Sequence, residues 1–132
     1  MPIRPVALGL TLCEFAVIDE NTHNVSAVSC FSRRFLDGGL EAMPPFYALA
    51  FMVGGHESMP AKLLIERLDT LETTNEKSFT LGFANSLEEI RALVRVRASA
   101  IPVFGYYNAL FVVDGEMIAQ KRFSILPRRS KK

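Results

Sequence analysis

The sequence has few of the residues that would cross-link the chain, hold a metal or cross a membrane. It contains two cysteines, Cys13 and Cys30, which are too few for a disulfide framework. Its two histidines, His23 and His56, lack the spacing of a zinc site, so we expect neither a metal nor a cofactor. The apolar run at residues 48–53 has only six residues, far short of the about 20 that a membrane-spanning helix needs. The first residues do not resemble a signal peptide, and we therefore expect a cytoplasmic protein without a membrane partner.

Glycine, proline and net charge are also modest, and each excludes a class of protein. With 8 Gly and 7 Pro the chain is neither collagenous nor of low complexity, and 49% apolar residues exclude intrinsic disorder. A net charge of +1 gives no general attraction for nucleic acids. Four basic residues lie within the last five positions. We expect one domain over residues 1–126 and a disordered basic tail over residues 127–132.

The pattern that remains is a series of apolar, β-branched and aromatic runs separated by turn residues. Such a series is typical of an all-β sandwich or barrel. It predicts about eight antiparallel strands in two packed sheets, of C2-like or immunoglobulin-like type. The predicted strands cover residues 6–18, 25–36, 46–53, 61–70, 78–84, 90–99, 106–113 and 117–126.

Two turns and one ambiguous segment determine how these strands connect. A turn about residues 21–22 would place Cys13 directly opposite Cys30, and Asp114-Gly115 is a strong hairpin signal. The Gly- and Pro-rich residues 37–45 should cross between the sheets. Residues 86–94 fit both a capped helix and a strand. We favour a short turn at Ser86 that leads into a strand.

Several segments resemble a family of small bacterial β-sandwich proteins of unknown function, with a C2-like or immunoglobulin-like fold. The family pattern has a glycine where this chain has Ser29. The resemblance implies the sandwich and assigns no catalytic residue. It runs from about residue 8 to residue 126 and is carried by residues 10–16, 25–31, 46–49, 101–107 and 112–116.

No combination of residues in the sequence makes an enzyme site. A cysteine nucleophile needs a nearby imidazole, and both histidines fall in predicted loops. The adjacent carboxylates Glu88 and Glu89 should point in different directions on an exposed segment. We therefore expect a protein that is not an enzyme. The two cysteines are either ordinary buried thiols or a redox-active pair across the hairpin, and both readings stay open.

Basic residues suggest one binding function, which would use loop tips or an arginine strip to bind a small ligand or nucleic acid. Phe31 and Phe35 could stack on bases beside such a strip. The central arginines could equally form a solvated strand face paired with Glu14, Glu66 or Glu76. Because the net charge is nearly neutral, we do not expect nucleic acid as the partner. The predicted strip consists of Arg33, Arg34, Arg91, Arg95, Arg97, Arg128 and Arg129.

The surplus of large apolar side chains has the clearest functional implication. Strands that are apolar on both faces have a second surface to cover. The sequence therefore predicts a non-catalytic interaction module that forms a homodimer or docks another bacterial protein. The predicted interaction face consists of Phe46, Tyr47, Phe51, Met52, Tyr106, Tyr107 and Phe111.

Overall fold

Nine strands form almost all the regular structure of the computed structural model, within the residues that it describes, namely 5–55, 57–83, 87 and 89–128. Single 3₁₀ turns at Leu40–Ala42 and Ala98–Ala100 complete it. In chain order the strands are β1 (Val6–Ile18), β2 (Val25–Cys30), β3 (Arg33–Leu36), β4 (Phe46–Val53), β5 (Glu57–Arg67), β6 (Thr73–Phe83), β7 (Ile90–Val96), β8 (Gly105–Val113) and β9 (Glu116–Pro127).

The strands lie in two sheets, which confirms the predicted all-β sandwich. The first sheet has four strands in the order β2-β1-β4-β7, and the second has five in the order β3-β9-β8-β5-β6. All pairs are antiparallel except β3 with β9, which is parallel. The predicted strand 25–36 is in fact two strands, because the chain leaves one sheet after β2 and enters the other at β3. The segment between β3 and β4 crosses back, as predicted.

The core lies between the sheets and follows from the alternation of side chains along each strand. Phe46 and Met52 on β4 point inward and are fully buried, as are Leu63 and Ile65 on β5. In a strand, successive side chains face opposite sides, so the residues between them face outward. Both sheets therefore present a distinct outer face.

A buried tyrosine fixes the start of β8. The Tyr107 hydroxyl donates to the Val103 carbonyl at 2.6 Å, and its ring stacks on Phe123 with ring centroids 5.7 Å apart. A tyrosine that bonds back to the backbone just upstream is a recurrent corner in immunoglobulin-like sandwiches. Burial raises the pKa of this hydroxyl above its usual value. The corner leaves Tyr106, the preceding residue, on the outer face of the five-stranded sheet.

Two hairpins match their sequence signals. Cys13 is the register partner of Cys30, as predicted from a turn at residues 21–22. Ser29 has φ +55°, in the left-handed region that glycine adopts most easily. At the second hairpin, Asp114 and Gly115 have φ of +49° and +82°, as a tight two-residue turn requires.

Other boundaries differ from the sequence prediction. β5 begins at Glu57 rather than at residue 61, and β6 begins at Thr73, where a turn was predicted. The predicted strand 90–99 is present as β7 but ends at Val96, where a 3₁₀ turn follows at Ala98–Ala100. The predicted turn at Ser86 lies outside the described residues, as does His56. β9 continues to Pro127, one residue past the predicted end of the domain, and the Arg128 amide donates to the Leu36 carbonyl. In the described part, no helix is long and apolar enough to span a membrane.

Candidate interaction surfaces

The predicted interaction face does not exist as one surface. Its members are divided among the core, the outer face of the four-stranded sheet and the outer face of the five-stranded sheet. Phe46 and Met52 point inward from the four-stranded sheet. Tyr107 and Phe111 point inward from the five-stranded sheet, so all four belong to the core and this part of the prediction is wrong. An uninterrupted apolar run does not reveal which of its residues face inward. The others lie on outer faces, with Tyr47 and Phe51 on the four-stranded sheet and Tyr106 on the five-stranded sheet.

The outer face of the four-stranded sheet is apolar along β4. Leu49 lies between Tyr47 and Phe51 on this strand and pairs with Thr11 on one side and Leu93 on the other. Leu49 is only 3% exposed although it faces away from the core. Something other than the second sheet must therefore cover it.

The turn of the β1–β2 hairpin reaches β7 on this outer face. Arg91, which points away from the core on β7, donates a hydrogen bond to the His23 carbonyl in the turn of the hairpin. Since β7 and β2 are opposite edges of this sheet, the hairpin must cross its outer face beyond Cys13 and Cys30. The turn is held by the Asp19 carboxylate, which accepts from the amides of Asn21 and Thr22 at 2.8 and 2.9 Å. These two bonds lower the pKa of Asp19.

The hairpin itself carries exposed apolar side chains. Phe15, Val17 and Ile18 near its turn are between 44% and 55% exposed. Val6 and Leu8, at the other end of β1, are also exposed. Their exposure was not predicted, because an apolar run of this length is typical of a strand buried on both faces. The available signal was the composition of β2, whose two serines and single alanine mark it as a strand with little to bury.

The predicted arginine strip is divided between opposite edges of the sandwich. Arg91, Arg95 and Arg97 lie on β7 or directly after it, whereas Arg33 lies on β3. A small cavity is lined jointly by β6 and β7, so these strands lie on the same side. β3 is the opposite edge of the five-stranded sheet, next to Arg128, so the strip is not continuous. Arg129 lies outside the described residues.

Arg34 is part of the core rather than of a basic surface. Its side chain is 7% exposed and its Nε donates to Glu14 Oε1 at 3.2 Å. A second guanidinium nitrogen donates to the Pro44 carbonyl at 2.7 Å. The guanidinium also lies over the rings of Phe31 and Phe46, 5.6 and 5.7 Å from their centroids. Arg34 therefore closes one end of the sandwich and is unavailable to a ligand.

Two of the three acidic partners suggested for the β7 arginines pair with other residues. Glu14 pairs with Arg34, and Glu76 lies 3.6 Å from Lys62. Within residues 5–55, 57–83, 87 and 89–128, neither Arg95 nor Arg97 forms an ion pair with a carboxylate. The edge at β7 therefore presents uncompensated positive charge.

The two cysteines face each other but differ in environment. Cys13 is fully buried, whereas Cys30 on the edge strand β2 is exposed. Burial raises the pKa of the Cys13 thiol, and the nearby Cys30 thiol adds to the effect. The described residues contain no group of three potential metal ligands.

This difference predicts unequal thiol chemistry. An aromatic disulfide reagent at pH 8 should modify Cys30 at least about tenfold faster than Cys13, because the thiolate is the reacting species and only Cys30 is accessible. The variant Cys30→Ser retains only the Cys13 thiol, and Cys13→Ser retains only the Cys30 thiol. The reaction rates of these two variants therefore measure the two thiols separately. Equal rates for the two variants would show that β1 opens readily at Cys13.

A second outer surface lies at the β3 edge of the five-stranded sheet. Arg33, Ser124 and Tyr106 form one row across β3, β9 and β8, and Arg122 lies two residues from Ser124 on the same face. Arg33 and Tyr106 were predicted as site residues from the sequence, whereas Ser124 and Arg122 were not. The signal was the alternation of polar Arg122 and Ser124 with apolar Phe123 and Ile125.

Comparisons with known proteins assign no function to these surfaces. No protein-family profile and no curated protein matches the chain. Among solved structures, the chain is similar to a Pseudomonas fluorescens alkylpurine DNA glycosylase AlkC bound to DNA containing an abasic site analog. The identity is 15% and the TM-score is 0.43, over 71% of this chain. This chain spans 27% of the length of that protein, and at this level of similarity we draw nothing about function from it.

Proposed function

We propose that the protein is a non-catalytic module that self-associates through the β1–β2 hairpin. The observation that carries this proposal is the exposure of Phe15, Val17 and Ile18 on a two-stranded ribbon. Single exposed apolar residues are common on proteins, but several on one ribbon are typical of a contact surface. A two-stranded ribbon is also only marginally stable in water, so further pairing would stabilise it.

The edge of β2 supports a second copy of this chain as the partner. Proteins usually protect edge strands with charges, proline or short length. The β7 edge carries Arg91 and Arg95, the β6 edge carries Glu76 and Lys77, and β3 has only four residues. β2 has six residues, Val25–Cys30, without a charge or a proline.

Pairing of β2 with β2 of a second copy would give hydrogen-bond partners to the unpaired backbone N–H and C=O groups of this edge. Two antiparallel copies of one strand are related by a two-fold axis, which is the commonest symmetry of protein dimers. Such a pair would join the β1–β2 hairpins of the two copies into one four-stranded ribbon and place the Val17 side chains of both copies near the new contact. Val17 is the register partner of Ser26 on β2, so both residues lie on the same face of the hairpin.

Sedimentation velocity over a range of protein concentrations tests the proposal. The wild type should form a dimer as the concentration rises. Ser26→Lys should weaken the dimer at least about tenfold, because the two-fold axis brings a lysine from each copy close together in the contact. Ser78→Lys is the matched control, since Ser78 is an exposed serine on β6, an edge of the other sheet, and it should leave the dimer unchanged.

Two results would contradict the proposal. One is a wild type that stays monomeric at all concentrations, and the other is an equal effect of both lysine substitutions. Melting curves of the two variants should match that of the wild type at a concentration where it is monomeric. That comparison separates loss of association from loss of folding.

A further inference from the structure

The surface at the β3 edge of the five-stranded sheet has the features of a ligand site. The row of Arg33, Ser124 and Tyr106 faces outward, because the neighbouring Phe123 and Ile125 on β9 are buried in the core. We call this row, together with Arg122, the β3-edge groove. It lies on the sheet opposite to the hairpin, so it is independent of the proposed dimer contact.

The floor of the groove contains a buried hydroxyl without a partner. Ser124 is 2% exposed, and its Oγ makes no hydrogen bond within the described residues. The other buried side-chain atom without a partner in that part of the chain is Oδ1 of Asn108, the register partner of Arg122. Buried polar groups almost always have a partner. The two atoms lie in neighbouring rows of one face, so one polar group bound there would supply the missing partners.

The charges around Ser124 favour an anion. Arg33 and Arg122 are exposed, and neither pairs with a carboxylate among the described residues. Arg33 is the register partner of Ser124 and Arg122 lies two residues before Ser124 on the same face, so both long side chains can reach one group beside Ser124. Arg128 closes the far end of the groove and is held by Asp37 at 3.1 Å. Two free guanidiniums beside a hydroxyl are suited to a phosphate.

An aromatic ring and the available space define the rest of the ligand. Tyr106 is 62% exposed beside Ser124 and offers a ring face for stacking. Two adjoining cavities of about 420 and 700 Å³ share Arg33, Tyr106 and Leu126. Each of the two volumes lies in the range of about 300–1,000 Å³ that is usual for small-molecule sites.

We propose that the β3-edge groove binds a nucleotide, with its phosphate on Arg33, Arg122 and Ser124 and its base stacked on Tyr106. Phosphates are bound preferentially by arginine, and bases stack on exposed aromatic rings. The nucleotide is either a free mononucleotide or a unit of a single strand, since both present the same phosphate and base.

A titration followed by amide chemical shifts tests the site, with AMP as the probe. The shifts should concentrate at Arg33, Tyr106, Arg122 and Ser124. Adenosine and inorganic phosphate, which each lack one half of the ligand, should bind at least about tenfold more weakly. A short single-stranded oligonucleotide is the second arm. Tighter binding than that of AMP through the same residues identifies a strand as the natural source, and equal or weaker binding identifies the mononucleotide.

Variants separate the groove from general electrostatic attraction. Arg122→Gln should weaken AMP binding at least about tenfold, whereas Arg97→Gln, with the same loss of charge near β7, should not change it. Ser124→Ala should weaken binding without lowering the melting temperature, because the hydroxyl has no partner in the free protein. A merely structural role for Ser124 would instead lower the melting temperature.

Three outcomes would overturn the inference. They are shifts spread over the surface, equal losses for Arg122→Gln and Arg97→Gln, and the absence of saturable binding by both AMP and the oligonucleotide. Failure of the dimer would leave these readouts unaffected, because the groove lies on the other sheet.

Discussion

Replacement of Phe46 by alanine is expected to lower the free energy of unfolding by about 3–5 kcal/mol. Phe46 is fully buried at the start of β4 and contacts the rings of Phe31 and Phe123 edge-on, with centroids 5.3 and 5.7 Å away. The Arg34 guanidinium lies over the same ring. The substitution therefore removes the ring on which both sheets and the buried arginine pack, and it leaves a cavity that the neighbours cannot fill.

Denaturant titration of Phe46→Ala measures this effect, and Phe35→Ala is its control. Phe35 lies on the outer face of β3 and is 46% exposed, so its truncation should cost less than about 1 kcal/mol. Similar losses in the two variants would mean that the sheets do not pack through Phe46. Should Phe46→Ala fail to fold, Phe46→Leu should still lose more stability than Phe35→Leu.

Replacement of Arg34 by methionine is expected to cost about 2–3 kcal/mol. The side chain makes a charge-assisted hydrogen bond to Glu14 and another to the Pro44 carbonyl, and both are lost. Its contacts with the rings of Phe31 and Phe46 are lost as well. Methionine retains much of the apolar stem, so the measured loss reports mainly on the guanidinium.

The adjacent Arg33 is the matched control for this prediction. Arg33 points outward from the same strand, and Arg33→Met should change the free energy of unfolding by no more than about 0.5 kcal/mol. The two variants have the same composition and net charge. Equal stabilities would show that Arg34 is not buried as described.

The same pair of arginines shows what the sequence could and could not reveal. Composition and turn residues predict two packed sheets, and a turn at residues 21–22 correctly predicts that Cys13 opposes Cys30. Which of two adjacent arginines faces inward depends on the pairing of β3 with β9, which is about 90 residues away in sequence. The carboxylate that pairs with Arg34 belongs to Glu14, which lies on a third strand, β1. Such long-range partners leave no local pattern.

The candidate surfaces follow the same rule. Tyr106 and Tyr107 are neighbours of the same type, but only Tyr107 bonds back to Val103 and is buried, which places Tyr106 outside. The exposure of Phe15 and Val17 could not be predicted, because it depends on a hairpin that leaves its sheet and crosses to Arg91. Ser124 could not be predicted either, because the sequence does not show that its hydroxyl is buried without a partner.

Hydrogen exchange of the β2 amides at low and high protein concentration tests the central claim most directly, that two copies pair along this edge. Deuterium uptake over residues 25–30 should fall as the concentration rises, because edge amides become bonded in the dimer. Uptake over the edge strand β6 should not change. Uptake in β2 that stays constant while the protein dimerises would contradict the account, since the copies would then meet elsewhere.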